Sequence, residues 1–359
     1  MSDRFAARIS AWQRGHGRHD LPWQNTRDPY SVWVSEIMLQ QTQVAAVIPY
    51  YQRFLARFPD LGTLARASED EVLAQWSGLG YYARGRNLHR AARLIVERHA
   101  GVFPREPDAL RALPGVGRST ANAVSVFAFG ERSAILDGNV KRVLARHYGI
   151  RGYPGATPVE RRLWQKAESV LPQRGIEFYT QGLMDLGARV CLRRNPNCCA
   201  CPVADTCVAR CRELIDQLPS PRPARVLPRR DTAMLILLNR SAEVLLEKRP
   251  APGIWGGLWS LPELIEGRVE EVARRYGARA HQITRLAAVD HGFTHFKLRI
   301  RPVLARVVRD TGTAAPGALW LTLDDALGAA IPAPVRRILG ELRSAPELTT
   351  RLAGTAERP

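Results

Sequence analysis

Lysine is nearly missing from this chain of 359 residues, where four lysines stand against 48 arginines. Cysteine is missing from all but one stretch, the 21 residues from Cys191 to Cys211, which hold six. No aliphatic run is longer than "AMLILL" at 233–238, far short of the roughly 20 residues that span a bilayer. The opening "MSDRFAARISAW" has no apolar segment of secretory length. These absences argue against a membrane helix and against a secreted scaffold stapled by dispersed disulfides. The expectation is a soluble protein of the cell interior.

With 45% hydrophobic residues, the chain has enough apolar side chains for ordinary cores, and its length suggests two domains. The formal net charge of +18 points to a polyanionic partner, most simply nucleic acid. A GC-rich genome also raises arginine without functional demand, so charge alone is only a pointer.

From about residue 3 to 212 the pattern is helical. Asp28 and Pro29 read as an N-cap and first helical residue, ahead of "YSVWVSEIMLQQTQVAAVIPYYQRFLARF". Ser68 and Glu71 form a capping-box pattern. "ARGRNLHRAARLIVERHAG", "NVKRVLARHYG" and "PVERRLWQKAESVL" continue the series. Residues 213–230 are rich in proline and arginine and read as a linker. Then the texture changes. "TAMLILLNRSAEVLLEKRP" predicts two strands around a turn, "RVEEVARRYG" a short helix, "HFKLRIRPVLARVV" a strand and "PAPVRRILGELRS" a last helix. This second domain, 231–345, is α/β or α+β, and 346–359 is a tail.

Two motifs carry chemistry. "LPGVGRSTANAV" at 113–124 reads as helix, Gly-Val-Gly turn, helix. Its glycines permit positive φ and leave bare N–H groups at a helix start, a grip for one phosphate that reads no base. An ordinary turn between helices also favours glycine. The second motif is Cys191, Cys198, Cys201 and Cys207, spaced C-x6-C-x2-C-x5-C. Four thiolates hold either zinc or an iron–sulfur cluster. One tight pair with wide flanks favours [4Fe–4S] over a zinc ribbon with its two short hooks. Cys199 rivals Cys198 by adjacency, and Cys211 is left over.

The hairpin (107–130), "ILDGNVKRV" and the cysteine spacing (191–207) together resemble the helix-hairpin-helix DNA glycosylases of the endonuclease III superfamily. "LPWQNTRDPYSVWVSEIMLQQTQV" and "GLGYYARGRNLHRAA" are similar to its MutY-type adenine-DNA glycosylase branch, and the likeness runs over about 4–345. It implies an all-α glycosylase domain over 1–212 that carries a [4Fe–4S] cluster on the four cysteines. It also implies a monomer acting on double-stranded DNA with adenine opposite 8-oxoguanine or guanine, in the cytoplasm with the chromosome. No membrane partner is expected.

Glu36 sits in an apolar helix, where a carboxylate tends toward a raised pKa and general-acid work. Pattern alone leaves it equally a surface glutamate. The resemblance makes it the acid that protonates adenine N7 and then handles the water. Asp137 precedes an obvious helix start and reads as an N-cap. A carboxylate held by helix N–H groups stays ionised, and the resemblance gives Asp137 the oxocarbenium-stabilising role, with Asn139 as an orienting neighbour. Trp23, Leu39 and Gln181 match the adenine pocket, although ordinary packing accounts equally well for Trp23 and Leu39. Gln40, Gln41, Tyr81, Gly115, Gly117 and Arg118 match DNA contacts, and Tyr81 follows a glycine turn from which an aromatic can enter the duplex.

The second domain resembles the Nudix fold. Gly257 and Glu263 fit the opening of a Nudix signature, but Arg274-Arg275 stand where metal-binding carboxylates would be wanted. A nucleotide pyrophosphatase is therefore not expected. The resemblance implies instead that Phe293-Thr294-His295 reads 8-oxoguanine, threonine replacing the family's serine. A turn at a strand edge with a core phenylalanine is the plainer account of "GFTHF". An oxidised-pyrimidine glycosylase with lyase activity, and a non-catalytic DNA-binding module, share parts of the same pattern. The lyase needs a lysine amine after "GVGR", and this chain has Ser119. The binding module is disfavoured by the presence of both Glu36 and Asp137.

Overall fold

The computed structural model describes residues 2–223, 226–250, 253–264, 268–309 and 316–349. Residues 350–359 of the expected tail and 224–225 of the expected linker lie outside the described residues. The chain forms two compact units. One comprises Met1–Arg66 with Asn87–Ala224, and the other Ala67–Arg86 with Arg225–Pro359. Residues 67–86 thus group with the second unit, although they fall inside the helical first part of the sequence.

The helices before residue 90 are α1 (Ser2–His16), α2 (Pro29–Leu39), α3 (Val44–Arg57), α4 (Leu61–Arg66), α5 (Glu69–Trp76) and α6 (Ala83–His99). They are followed by α7 (Pro107–Arg111), α8 (Arg118–Phe129), α9 (Gly138–Tyr148), α10 (Thr157–Ser169), α11 (Ile176–Arg189) and α12 (Val208–Cys211). Local chemistry explains their starts. The Asp28 carboxylate accepts from the N–H groups of Tyr30 and Ser31, and Pro29 sits where its missing N–H costs nothing. The Ser68–Glu71 capping box is complete. The helical stretch after Pro29 is not continuous. It breaks at Gln40–Gln43, with Gln41 at φ 58°, so that α3 starts afresh at Val44.

One core of the first unit gathers Phe5 and Ile9 of α1, Leu136, Leu144 of α9, Leu163 of α10, and Leu183 and Leu186 of α11. Each such side chain, fully buried, contributes about 1.5–3 kcal/mol. This packing sets the first turn of α9 beside α11. Their approach requires glycine at 187, because a Cβ there would lie 2.5 Å from Asn139 Cβ and 3.0 Å from its Cα.

The second unit holds a mixed seven-stranded sheet: β1 (Arg229–Leu238), β2 (Glu243–Lys248), β3 (Trp259–Ser260), β4 (Ala278–Arg285), β5 (Val289–Gly292), β6 (Lys297–Arg309) and β7 (Ala318–Thr322). The order is β3-β2-β1-β6-β4, with β5 also on β6 and β7 on β2. Among the described residues only β1 and β6 pair in parallel, from Arg229 opposite Lys297 to Leu238 opposite Arg306. The helices are α13 (Val269–Arg275), α14 (Leu323–Gly328), α15 (Ala333–Arg343) and α16 (Pro346–Thr349). The β1–β2 pair, α13, β6 and α15 match the sequence expectation. β4, β5 and β7 do not announce themselves, because their exposed polar residues blur any alternation.

Candidate active site and cysteine cage

A cavity of about 480 Å³ opens in the first unit, within the range of small-molecule pockets. Of the expected residues, Glu36, Asp137, Asn139, Ser119, Trp23, Leu39, Gln40 and Gln181 line it. α2 contributes Glu36 and Leu39, the start of α8 contributes Ser119, the start of α9 contributes Asp137 and Asn139, and α11 contributes Gln181. Gln41, Gly115, Gly117 and Arg118 are not in its lining, and Tyr81 belongs to the second unit.

The Glu36 carboxyl faces the cavity from a helix whose neighbours Val34, Ser35 and Ile37 are buried. Burial pushes its pKa up to about 8, and the charge of Asp137 adds to the rise. Among the described residues no cation or donor opposes this at Glu36. At Asp137 burial also raises the pKa, but the Val140 N–H, Arg142 and Asn139 work against it. The Asp137 carboxylate accepts from Val140 N at 2.7 Å and from Asn139 Nδ2 at 3.5 Å. Burial thus raises both acids in one cavity, but only Asp137 has an N–H donor, an amide and a guanidinium working against the rise.

Ser119 accepts a hydrogen bond from Leu136 N at 3.0 Å. Since it lines the cavity beside both acids, a lysine at this position would enter the same space. Trp23 is buried and packs edge-on against Tyr51, so it is at once a core residue and a wall of the cavity. Gln181 is buried and donates through Nε2 to Asp185 at 2.8 Å.

Four residues that hold this site escape sequence reasoning. Asp185 is fully buried and receives Arg18 through its backbone N at 2.8 Å and its side chain at 2.6 and 2.7 Å. No local signal ties positions 167 residues apart. Arg142 donates to Asn139 Oδ1 at 2.8 Å, to Gly187 O at 2.7 Å and to Cys191 O at 2.7 Å. Its spacing of three from Asn139 on a helix was the one available hint. Arg146, 4% exposed, donates to Leu192 O at 2.6 Å, Leu218 O at 2.7 Å and Arg193 O at 3.2 Å, and reaches Cys191 Sγ at 3.4 Å.

The turn between α7 and α8 uses its two glycines differently. Gly115 takes φ 78°, while Gly117 is extended at φ −85° and caps α8. A Cβ at Gly117 would meet nothing within 4 Å, so its glycine leaves the backbone bare rather than permitting a turn. Gln40 ties α2 to this hairpin, donating to Thr120 Oγ1 at 3.1 Å and Gly115 O at 3.4 Å. Arg118 lies over the Trp164 ring at 3.9 Å and pairs with Glu168.

Cys191, Cys198, Cys201 and Cys207 line a second, small cavity with Arg146, whereas Cys199 and Cys211 are exposed and outside its lining. Among the described residues no group of three His, Cys, Asp or Glu side chains closes on a single ion. The four cysteines share the lining of one small space, and their donor set is the all-thiolate one that iron–sulfur clusters use.

In the second unit, Phe293 stacks on buried Phe296 at 4.4 Å and 18°, and it lies near Trp255 and His291. Thr294 and His295 are exposed, with Thr294 Oγ1 3.3 Å from His295 Nδ1. Glu263 pairs with Arg249 at 2.9 Å.

Comparison with known proteins now decides the family. Residues 34–169 match the model of the HhH-GPD superfamily base excision DNA repair proteins, and residues 233–341 match the NUDIX domain. An adenine DNA glycosylase of Buchnera aphidicola (subspecies Baizongia pistaciae) is 34% identical over 341 residues, covering 94% of this chain and 97% of that protein. The chain belongs to the adenine DNA glycosylase family. The human adenine DNA glycosylase is also 34% identical, covering 93% of this chain and 73% of its own length. Among solved structures, a thermostable thymine-DNA glycosylase aligns with TM-score 0.54 and 30% identity, covering 59% of this chain and 97% of that one. Endonuclease III in a DNA complex shares the fold of the helical part, with TM-score 0.50 and 20% identity over 60% of this chain and 98% of that one. Of the cavity residues, Glu36, Leu39, Ser119, Asp137 and Asn139 lie within the segment matched to the HhH-GPD model, whereas Trp23 and Gln181 lie outside it.

Proposed function

We infer that the protein is a base-excision hydrolase that cleaves the N-glycosidic bond of adenine in double-stranded DNA, with 8-oxoguanine or guanine as the opposing base. The observation that carries this reading is one cavity holding a desolvated Glu36, the capped Asp137 and a serine, not a lysine, at 119. The adenine leaves the stack to enter the cavity. With its pKa near 8, Glu36 carries a proton at neutral pH and delivers it to adenine N7. The C1′–N9 bond breaks, adenine departs neutral, and the sugar becomes an oxocarbenium ion beside the Asp137 carboxylate. Water then attacks C1′ and gives its proton to Glu36, so the products are adenine and an abasic site. Trp23, Leu39 and Gln181 form walls of the base pocket, and Asn139 with Arg142 orients Asp137.

Around this centre, the backbone at Gly115 and Gly117 grips a phosphate at the start of α8. Gln40, Gln41 and Arg118 belong to the same DNA-facing side, and Tyr81 wedges the duplex. The domain assignment is catalysis over 1–212, a linker over 213–230 and lesion reading over 231–345, where Phe293, Thr294 and His295 recognise 8-oxoguanine. Cys191, Cys198, Cys201 and Cys207 would hold a [4Fe–4S] cluster, which when bound clamps the loop between them. Arg146 and Arg142 tie that loop to α9 through their bonds at Cys191 and Leu192. Purified protein is expected to carry about four irons per chain and the broad visible absorption of a thiolate cluster. Stoichiometric zinc would overturn the assignment.

One assay tests the reaction. Duplex DNA with adenine opposite 8-oxoguanine should release adenine and show strand breaks only after alkali. Equal breakage without alkali would sink the hydrolytic assignment. Ser119→Lys places an amine in the cavity and is expected to add alkali-independent breaks through an imine.

A further inference from the structure

Tyr81 stands out on backbone grounds. It is 47% exposed, at φ 49°, just after Gly78 at φ 98° and Gly80 at φ 77°. A non-glycine residue in the left-handed region costs of order 1–3 kcal/mol and persists only where its surroundings over-determine it. The surroundings here come from the second unit. Ser77 Oγ donates to Ile331 O at 3.1 Å, and Tyr82 Oη donates to the same carbonyl at 3.2 Å while accepting from Gly78 N at 3.4 Å. From α15, Arg336 donates to Ser77 Oγ at 2.8 Å and to Ala329 O at 3.3 Å, and also bonds Leu327 O. The flanks are fixed too. Lys248 of β2 pairs with Asp70 of α5 at 2.7 Å, and Arg86 bonds Gly256 O. Within the loop, Trp76 Nε1 and Arg84 Nη2 both donate to Gly80 O at 3.2 Å.

We propose that the corner between α14 and α15 is the mount of the Tyr81 wedge, with Arg336 as its positioning residue acting through Ser77. This rests on the reading of Tyr81 as a residue that enters the duplex. The flanks of the loop at 78–81 are held by bonds from Ser77 and Tyr82 to Ile331 O and from Arg336 to Ser77, on the unit that also bears Phe293, Thr294 and His295. The element that opens the stack and the element that reads the opposing base are therefore parts of one body. Glu36 and Asp137 belong to the other.

The test uses the full chain and a duplex carrying 8-oxoguanine opposite a 2′-fluorinated adenine nucleotide that resists hydrolysis. A neighbouring 2-aminopurine reports unstacking by its fluorescence. Tyr81→Ala is expected to abolish most of the fluorescence rise and to weaken binding about tenfold, the scale of one lost base–aromatic stack. Arg336→Met should give a partial loss of the rise and roughly threefold weaker binding. The double variant should be no worse than Tyr81→Ala alone, because both act through one side chain. A full rise and unchanged affinity in Arg336→Met, or additive losses in the double variant, would overturn the mount. An unaltered Tyr81→Ala would instead remove the wedge reading itself, and the mount with it. Should Arg336→Met fold poorly, Tyr82→Phe deletes only the oxygen between Gly78 and Ile331. It is expected to lower the rise in the same way, and an unchanged rise there counts against the mount.

Discussion

Glu36 of the helical unit and the glutamates of the sheet unit stand in opposite surroundings. In the helical unit, Glu36 is desolvated and, among the described residues, has no compensating cation, so its proton stays on until about pH 8. In the sheet unit, Glu263 is paired with Arg249, Glu271 with Arg268, and Glu247 accepts from Tyr276. Arg274 and Arg275 occupy the end of α13, where a pyrophosphatase of the Nudix fold would want acids. A carboxylate already committed to a cation or hydroxyl is poorly placed to gather a divalent metal. The same residue type is thus a desolvated acid at Glu36 and a paired, structural group in the sheet unit. Fold alone does not decide which; the solvation and partners of each group do.

The comparison breaks first at Glu36. Glu36→Gln is expected to cut adenine release by roughly 10²–10⁴-fold while leaving duplex affinity intact, as single-turnover kinetics and a binding titration would show. A fully active variant would remove Glu36 from its role.

The next effect is thermodynamic. The folded-state pKa of Glu36 lies above its ordinary value, so the folded protein binds the proton more tightly than the unfolded chain. Its contribution is fully present below about pH 4.5 and is lost as pH rises toward 8. Glu36→Gln escapes that loss. Its stability should exceed the parent's by about 2–4 kcal/mol at pH 9, and the gap should close at pH 4. Denaturant melts at the two pH values measure it, and a gap of equal size at both would refute the desolvated acid.

A smaller effect is expected at the helix crossing that carries Asp137. Gly187→Ala drives a methyl group into Asn139, and one of the helices must shift. The expected cost is about 1–3 kcal/mol of stability, with a lower catalytic rate and little change in duplex affinity. A variant with the parent's melting temperature and rate would show the approach to be unneeded. Smallest is Thr294→Ala, which removes a hydroxyl from the exposed reading loop. A drop of about threefold to tenfold in preference for 8-oxoguanine over guanine opposite adenine, the scale of one hydrogen bond, is expected. Equal losses on both substrates would mean that the loop supports the fold and does not read the lesion.

Most of the helical framework was legible in the sequence because its signals are local. The Asp28 cap, the Ser68–Glu71 box and the Asp137 cap each need only residues within three or four positions. The break at Gln41 was not legible, since "LQQTQV" continues an apolar-flanked helical run and only the backbone shows the reversal. The β1–β2 pair was readable from buried residues in runs, whereas β4 and β7 were hidden by their exposed faces. In the site, Glu36 and Asp137 were found through motifs. Asp185 and Arg18 were not, because a buried ion pair across 167 residues leaves no periodic trace.

By itself, the sequence determined the helix starts, the order of the two folds, the clustering of the cysteines and a serine at 119, since these depend on residue identity at short range. Tertiary structure alone decided three other things. It turned Cys198, and not its neighbour Cys199, into the lining of the small cavity. It gave Glu36 a pKa near 8, because desolvation comes from residues that fold around it. And it grouped Tyr81 with the second unit, where hydrogen bonds from Ser77 and Tyr82 to Ile331 O and from Arg336 to Ser77 hold the flanks of its loop.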